Sequence, residues 1–271
     1  MNSPEVSVVT FLMVGCQRCG TTWTAAAIRD HPEVYLPTKK QSYFFDRNYD
    51  KGIDWYLSRF NEIEPDHVAV GEIATGYCLP NAVPRMAKHF PDIKLLMVMR
   101  NPTDRAYSNY QTRKVEEHWS SFAEAIESET ELLERGQYID QIEALLEHYD
   151  EEQLLLLLYD DLHTDDSRYL KTILRFIGVD PNMESKLIGQ RKNAAVFPNL
   201  RKRLHQLGLD SVVHMVRKSP IGDWLRRNRK NKGNAYQPMD PATREKLIEH
   251  FRPYNDRLSK QLQVDLSHWN K

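Results

Sequence analysis

No run of apolar residues in this chain approaches the roughly 18 that a membrane-spanning helix needs, so no span is expected. The opening residues, MNSPEVSVV, lack the basic start and long apolar centre of a secretory signal, and the expected location is cytoplasmic. Cysteine is scarce: three residues cannot make a paired disulfide framework, which agrees with a reducing compartment. They also leave zinc without a ligand set, because a fourth ligand would have to come from scattered histidines, and no metal is expected. Net charge is nearly absent too. A value of −1 argues against general nucleic-acid binding, whose affinity rests on a basic footprint. What remains is ordinary for a globular chain: 271 residues, 41% hydrophobic and 28% charged, can bury a substantial core, and one domain over 1–271 is expected.

The most informative segment is FLMVGCQRCGTTWT, residues 11 to 24, which reads as a strand feeding a glycine-bounded loop that opens onto a helix. Gly15 and Gly20 permit tight turns that aim backbone N–H groups at an anion, and Thr21 and Thr22 add hydroxyls where the helix dipole is positive. The spacing is that of G-x-x-x-x-G-K-[ST], but Thr21 stands where the lysine belongs and the nearest cation is Arg18, inside the loop. The expected anion is therefore not a nucleoside triphosphate held through Mg²⁺. Cys16 and Cys19 also form a C-x-x-C at a strand-to-helix junction, where thioredoxin-like proteins place a redox pair. The two glycines and two threonines around them are explained by an anion loop and not by dithiol chemistry.

Downstream, strand-like and helix-like segments alternate. VAVGEIATGY reads as a short buried strand ending at Gly71 and Glu72, residues 81–89 as a helix, and IKLLMVMR as a central parallel strand with Arg100 at its end. A long acidic helical region is expected to reach about Tyr149; LLLLLY is a further strand, and DDSRYLKTILRFIGV a helix capped by Gly178. Phe44, Phe45, Trp55 and Tyr56 read as packing anchors. The alternation indicates an α/β sheet, whose ligands gather outside the carboxyl ends of its strands, where the Gly15 loop, Glu72 and Arg100 fall.

RNPTDRAYSNY, residues 100 to 110, supplies a second anion site. Arg100 offers a planar fork of donors and Ser108 a short hydroxyl, a pairing suited to a phosphate monoester. The plainer reading has Asp104 capping the helix and Arg105 in a surface ion pair. Two anion sites on neighbouring strands fit a nucleoside with phosphate groups at both ends.

These segments resemble the sulfotransferases that use 3′-phosphoadenosine 5′-phosphosulfate, particularly the heparan-sulfate-type N- and 3-O-sulfotransferases and their soluble bacterial relatives. GCQRCGTT is similar to that family's 5′-phosphosulfate loop, FFDRNYDKGIDWY to the stretch after its catalytic loop, RNPTDRAYSNY to its 3′-phosphate motif, and KGNAYQPMDPATREKL with DLSHW to its closing segment. The resemblance implies a three-layer P-loop-like α/β fold with a central parallel sheet. It implies transfer of a sulfuryl group from that co-substrate to a hydroxyl or amine of a small-molecule or carbohydrate acceptor, with no metal. Gln17, Arg18, Cys19, Gly20, Thr21, Thr22 and Trp23 would hold the 5′ side, Arg100 and Ser108 the 3′-phosphate, and Lys232, Gly233 and Asn234 would close over the nucleotide. Arg18 stands where the family has a lysine; arginine keeps the charge but is a poor proton donor. The basic stretch from Arg201 to Lys232 would then be part of a lid at about 200–235, drawing in an anionic donor.

Two departures fall on the acceptor side. Gln41, beside Lys40, replaces the family's usual glutamate base, and an amide cannot take up a full proton at physiological pH. Ile73 replaces a lysine that carbohydrate-acting relatives place after the equivalent of Glu72. Both weaken a heparan-like acceptor and leave the nucleotide reading intact. Glu72, His118 and Tyr43 are candidate substitutes for the base. Competing readings are a P-loop small-molecule kinase, a non-catalytic 3′-phosphoadenosine-nucleotide-binding relative, and a dithiol oxidoreductase.

Overall fold

The computed structural model describes residues 8–39, 41–183, 185–189 and 238–271. Lys40, Lys232, Gly233, Asn234 and the lid-like segment at 200–235 lie outside the described residues. Five strands, β1 (Phe11–Gly15), β2 (Val34–Tyr35), β3 (Ala69–Ile73), β4 (Lys94–Met99) and β5 (Leu154–Leu158), form one sheet in the order β2-β3-β1-β4-β5. Every pairing is parallel, with Leu12 opposite Glu72 on one side and Leu95 on the other. Such a sheet needs both faces covered, which is why β1, β3 and β4 read as nearly unbroken apolar runs. All of β1 and β3 is buried, as is β4 after Lys94. Gly71 has a packing reason: a Cβ there would stand 2.5 Å from the Phe11 carbonyl oxygen.

The helices are α1 (Thr21–Arg29), α2 (Phe44–Arg47), α3 (Ile53–Leu57), α4 (Val83–His89), α5 (Pro102–Arg113), α6 (Phe122–Ser128), α7 (Glu131–Glu134), α8 (Tyr138–Leu146), α9 (Tyr159–Thr164), α10 (Asp166–Ile177) and α11 (Pro241–Leu262). The described elements all belong to one compact unit made of residues 1–190 and 239–271. The chain thus has the expected α/β architecture, a central parallel sheet flanked by helices. The long acidic helix does not form. Its span is divided into α6, α7 and α8, and the break at Gly136 is fixed by packing, since a Cβ there would come within 2.7 Å of the Phe251 ring. α10 ends as expected at Gly178, which takes φ +87°.

Phe44, Phe45 and Tyr56 are fully buried, with the Phe44 and Tyr56 rings stacked 4.9 Å apart, so this aromatic cluster anchors the connection between β2 and β3. A smaller core joins Ala106 and Tyr110 of α5 to Phe122 and Leu132, with Leu247 and Phe251 of α11 closing it. Near the terminus Trp269 is buried and donates through Nε1 to Asp160 at 3.1 Å, which pins the last turn to the carboxyl end of β5.

Candidate active site

The strand order changes direction at β1: the chain runs from β1 to the edge strand β2 and back to β3 beside β1, then crosses to β4 and β5 on the other side. A crevice at such a switch point is where α/β sheets hold ligands. Here it is filled by the loop 16–20. Cys16 N–H bonds to the Val98 carbonyl at 3.0 Å, and Gly20 takes φ +82°, the left-handed conformation from which α1 starts. Only glycine fits there, because a Cβ would meet the Tyr159 ring at 2.8 Å. No side chain caps α1 and no acid lies in its first turn, so the helix itself supplies no group that offsets its positive end at the loop.

Arg18 is itself held at φ +70°, a conformation costing a non-glycine residue about 1–2 kcal/mol. The turn aims its side chain across the crevice, where Nε donates to Ser108 Oγ at 3.0 Å. Arg100, one residue past β4, donates through Nη1 to the Arg18 carbonyl at 3.4 Å, and its guanidinium lies 5.0 Å from the Tyr159 ring centre. The structure therefore brings Arg18, Arg100 and Ser108 together from three separate segments. Of the other loop residues, Thr21 is buried and Thr22 exposed at the start of α1, and Trp23 packs edge-on against Tyr169. Gln17 keeps a shielded carbonyl oxygen, Oε1, without a donor among the described residues.

The entry to α5 differs from the plainer reading. Asn101, not Asp104, caps it, accepting from Thr103 N at 3.0 Å and Asp104 N at 3.4 Å, while Asp104 pairs with Arg244 at 2.9 Å. Arg105 makes no surface ion pair. It is wholly buried, and Nη2 donates to the Leu132 carbonyl. The C-x-x-C pair is equally enclosed: Cys16 and Cys19 are free, buried thiols, and burial pushes Cys16 well above its ordinary value. A redox pair needs an accessible thiolate, and burial of both sulfurs denies that access, even though desolvation is outweighed at Cys19 by the Cys16 hydrogen bond and the Arg105 charge, which hold it below its ordinary value.

The residues expected on the acceptor side lie past the ends of β1 and β3. Glu72 is 1% exposed, and its carboxylate accepts from Ser42 N–H, from Ser42 Oγ at 3.1 Å and from Tyr77 OH at 3.0 Å. Burial nevertheless holds its pKa above the ordinary carboxylate value, against the opposing effect of those hydrogen bonds. Its lone pairs are directed at the 42–44 loop, which they fix in place. Thr75, two residues past β3, donates to Gln41 Oε1 from both N and Oγ1 at 3.3 Å. Next to it an open cleft of about 440 Å³ is lined by Lys39, Gln41, Tyr43, Lys51, Trp55 and Arg59, among others. Lys51 Nζ sits 4.5 Å from the Trp55 ring centre and Arg59 at 5.7 Å. Tyr43 belongs to this cleft, but His118 does not line it and lies exposed in a left-handed turn after α5. The sequence reading missed Thr75, Lys51 and Arg59. Lys51, Trp55 and Arg59 recur every fourth residue, the one signal that could have grouped them.

Residues 10–263 match the family model of the sulfotransferase domain. Bifunctional heparan sulfate N-deacetylase/N-sulfotransferase 3 of Homo sapiens is 29% identical over 277 residues, which cover 93% of this chain and 29% of that protein. Heparan sulfate glucosamine 3-O-sulfotransferase 3B1 of Homo sapiens is 25% identical over 259 residues, covering 90% of this chain and 60% of that one. The chain spans less than a third of the length of the bifunctional relatives it matches. In fold it is similar to a solved sulfotransferase from Alicyclobacillus acidocaldarius, at TM-score 0.72 and 23% identity over 98% of this chain and 100% of that one. With the family model covering nearly the whole length of a sheet and loop built in this way, the chain belongs to the sulfotransferase family.

Proposed function

We propose that this protein transfers a sulfuryl group from 3′-phosphoadenosine 5′-phosphosulfate to a small-molecule or carbohydrate acceptor. The observation that carries the reading is the contact of Arg18 with Ser108, reinforced by Arg100 on the Arg18 carbonyl. It makes one continuous cationic surface from the loop at β1 to the helix entry after β4, which suits a ligand charged at both ends of a nucleoside. The residues fit such a ligand in kind: a helix start without a side-chain cap, two guanidinium groups and a hydroxyl.

When bound, the co-substrate supplies a sulfuryl group on an anhydride oxygen, and transfer of this class passes through a loose, in-line transition state with charge on its peripheral and bridging oxygens. Arg18 stabilises that charge and moves no proton, since a guanidinium stays protonated. Arg100 and Ser108 bind the 3′-phosphate, and the start of α1 with Thr21 and Thr22 binds the 5′ end. By the family resemblance alone, Lys40 would serve the sulfuryl group and Lys232, Gly233 and Asn234 the nucleotide; all four lie outside the described residues. Thr21 at the lysine position of the phosphate loop counts against a kinase.

Calorimetry tests this directly. Adenosine 3′,5′-bisphosphate should bind without Mg²⁺, and mass spectrometry of acceptors incubated with the co-substrate should show one added sulfo group. Tight binding of ATP with Mg²⁺ and no heat from the bisphosphate would overturn the reading.

A further inference from the structure

The position usually held by a general base here presents a donor to the acceptor. Thr75 N–H can only donate, so the Gln41 atom facing it at 3.3 Å has to be the carbonyl oxygen, and the Thr75 hydroxyl donates to that same oxygen. Both donors hold one end of the amide, which leaves the NH₂ end as the group Gln41 offers to the cleft it lines. The segment carrying Thr75 is itself fixed beside the loop-bearing strand, through Ala74 N to the Met13 carbonyl at 2.8 Å and Cys78 N to the Val14 carbonyl at 2.9 Å. Gln41 is thus a positioned donor at the edge of the transfer site.

No carboxylate and no imidazole lines the cleft among its described residues. Of the acids on the elements packed around it, Glu72 accepts from Ser42 and Tyr77 and Asp46 pairs with Arg47 at 3.6 Å, while Asp50 and Asp54, next to Lys51 and Trp55 in the chain, are exposed and do not line it. What faces the cleft instead is cationic, Lys39, Lys51 and Arg59, with Arg135 behind Thr75 donating to its carbonyl at 3.3 Å. Arg59 Nε is shielded and has no hydrogen-bond partner among the described residues. Trp55 and Tyr43 provide flat apolar walls for a ring. Among the described residues a neutral alcohol would find no carboxylate or imidazole here to take its proton, whereas an oxyanion would meet an amide donor and three cations.

We infer that the acceptor is an aryl hydroxyl acidic enough to enter the cleft already ionised, so that the enzyme selects its nucleophile by charge and does not deprotonate it. This rests on the sulfotransferase reading and names the substrate class of that same site. The proton goes to solvent before binding. The aryl oxygen then forms the new bond to sulfur as the bond from sulfur to the bridging phosphate oxygen breaks, and the bisphosphate leaves with that electron pair. No proton has to be moved within the complex, in agreement with Arg18 standing at the leaving-group side.

The test is a pair of acceptors with the sulfuryl donor present: 4-nitrophenol, about half ionised at pH 7, and phenol, which ionises near pH 10 as tyrosine does. At pH 7 kcat/KM should be roughly a hundredfold or more higher for 4-nitrophenol, because each unit of acceptor pKa above the working pH removes about tenfold of the reactive form. With phenol it should climb about tenfold per pH unit between 7 and 9. Gln41→Glu restores a carboxylate with one oxygen held by Thr75 and one facing the cleft; it should narrow the preference to under about tenfold, raising phenol and lowering 4-nitrophenol. Calorimetry with the bisphosphate shows that the variant is folded. Equal rates for both phenols in the wild type, or an unchanged preference in Gln41→Glu, overturns the inference. If the bisphosphate binds and neither phenol gains a sulfo group, the acceptor class falls and the nucleotide reading stands; if no nucleotide binds, the parent reading falls first.

Discussion

Arg18, Arg100 and Ser108 are each a short covalent step from a hydrogen-bonded element: the end of β1, the end of β4 and the first turns of α5. Lys39, Lys51 and Arg59 belong instead to the connection between β2 and β3, outside the sheet, and that connection is held to it mainly through the aromatic cluster around Phe44 and through Ser42 and Gln41, on Glu72 and Thr75. The two halves of the site thus obey different constraints. Moving the donor half would break strand pairing. The proposed acceptor half can change its lining residues while the sheet stays as it is.

The sharpest way to break this contrast is Arg18→Ala. If the donor half supplies the transition-state stabilisation, kcat should fall by about 10²–10³ for every acceptor alike, the usual effect of deleting one charge-stabilising donor. Steady-state assays with 4-nitrophenol would show it. A fall of less than tenfold, or one that depends on the acceptor, would mean that Arg18 serves the acceptor half.

Arg100→Ala should have a smaller and more selective effect. Loss of a charged hydrogen bond to phosphate weakens binding by about 1.5–3 kcal/mol, so the 3′-phosphorylated nucleotide should lose roughly tenfold to a hundredfold in affinity while its 3′-hydroxyl analogue changes little. Calorimetry on the two nucleotides separates these outcomes. Equal losses would remove the 3′-phosphate from Arg100, and an altered acceptor KM would blur the division between halves.

The same division decides what the sequence discloses. The loop from Gly15 to Gly20, the apolar run ending at Arg100 and the Gly178 cap are local: each is set by neighbours within a few residues, and periodicity or a glycine marks it. Asn101 was missed as the cap of α5 because Asp104 is an equally good capping residue by type, and only the backbone shows which oxygen meets the first N–H groups. Arg105 reads as solvent-facing because it is charged, yet its partner is the Leu132 carbonyl, 27 residues away. The acidic region reads as continuous because helix propensity does not register the tertiary contact between Gly136 and Phe251. The cleft was least legible of all. Glu72 and Ser42, or Gln41 and Thr75, are more than 30 residues apart or close to it, and no period connects them.

Glu72→Gln gives the subtlest expected effect and examines the joint between the halves. Burial raises the Glu72 pKa in the folded chain above its ordinary 4.5. Between those two values the folded protein holds a proton that the unfolded chain has released, so the stability linked to this group is fully present below the ordinary value and is lost as pH rises through the folded one. Glutamine has nothing to titrate. Urea denaturation of both proteins at pH 7 and at pH 5 should therefore show the difference in stability moving toward the wild type at the lower pH. At pH 7 the variant escapes the cost of a buried charge but gives the Ser42 and Tyr77 donors a poorer acceptor, so the ends of the comparison oppose each other and its pH slope is the informative quantity. Nucleotide affinity should be nearly unchanged and the acceptor KM should rise, because the residue that loosens holds the 41–44 loop and touches none of Arg18, Arg100 or Ser108. A difference that stays constant with pH, or shifts the other way, would show that Glu72 is not the buried, proton-retaining anchor that keeps the acceptor half in place.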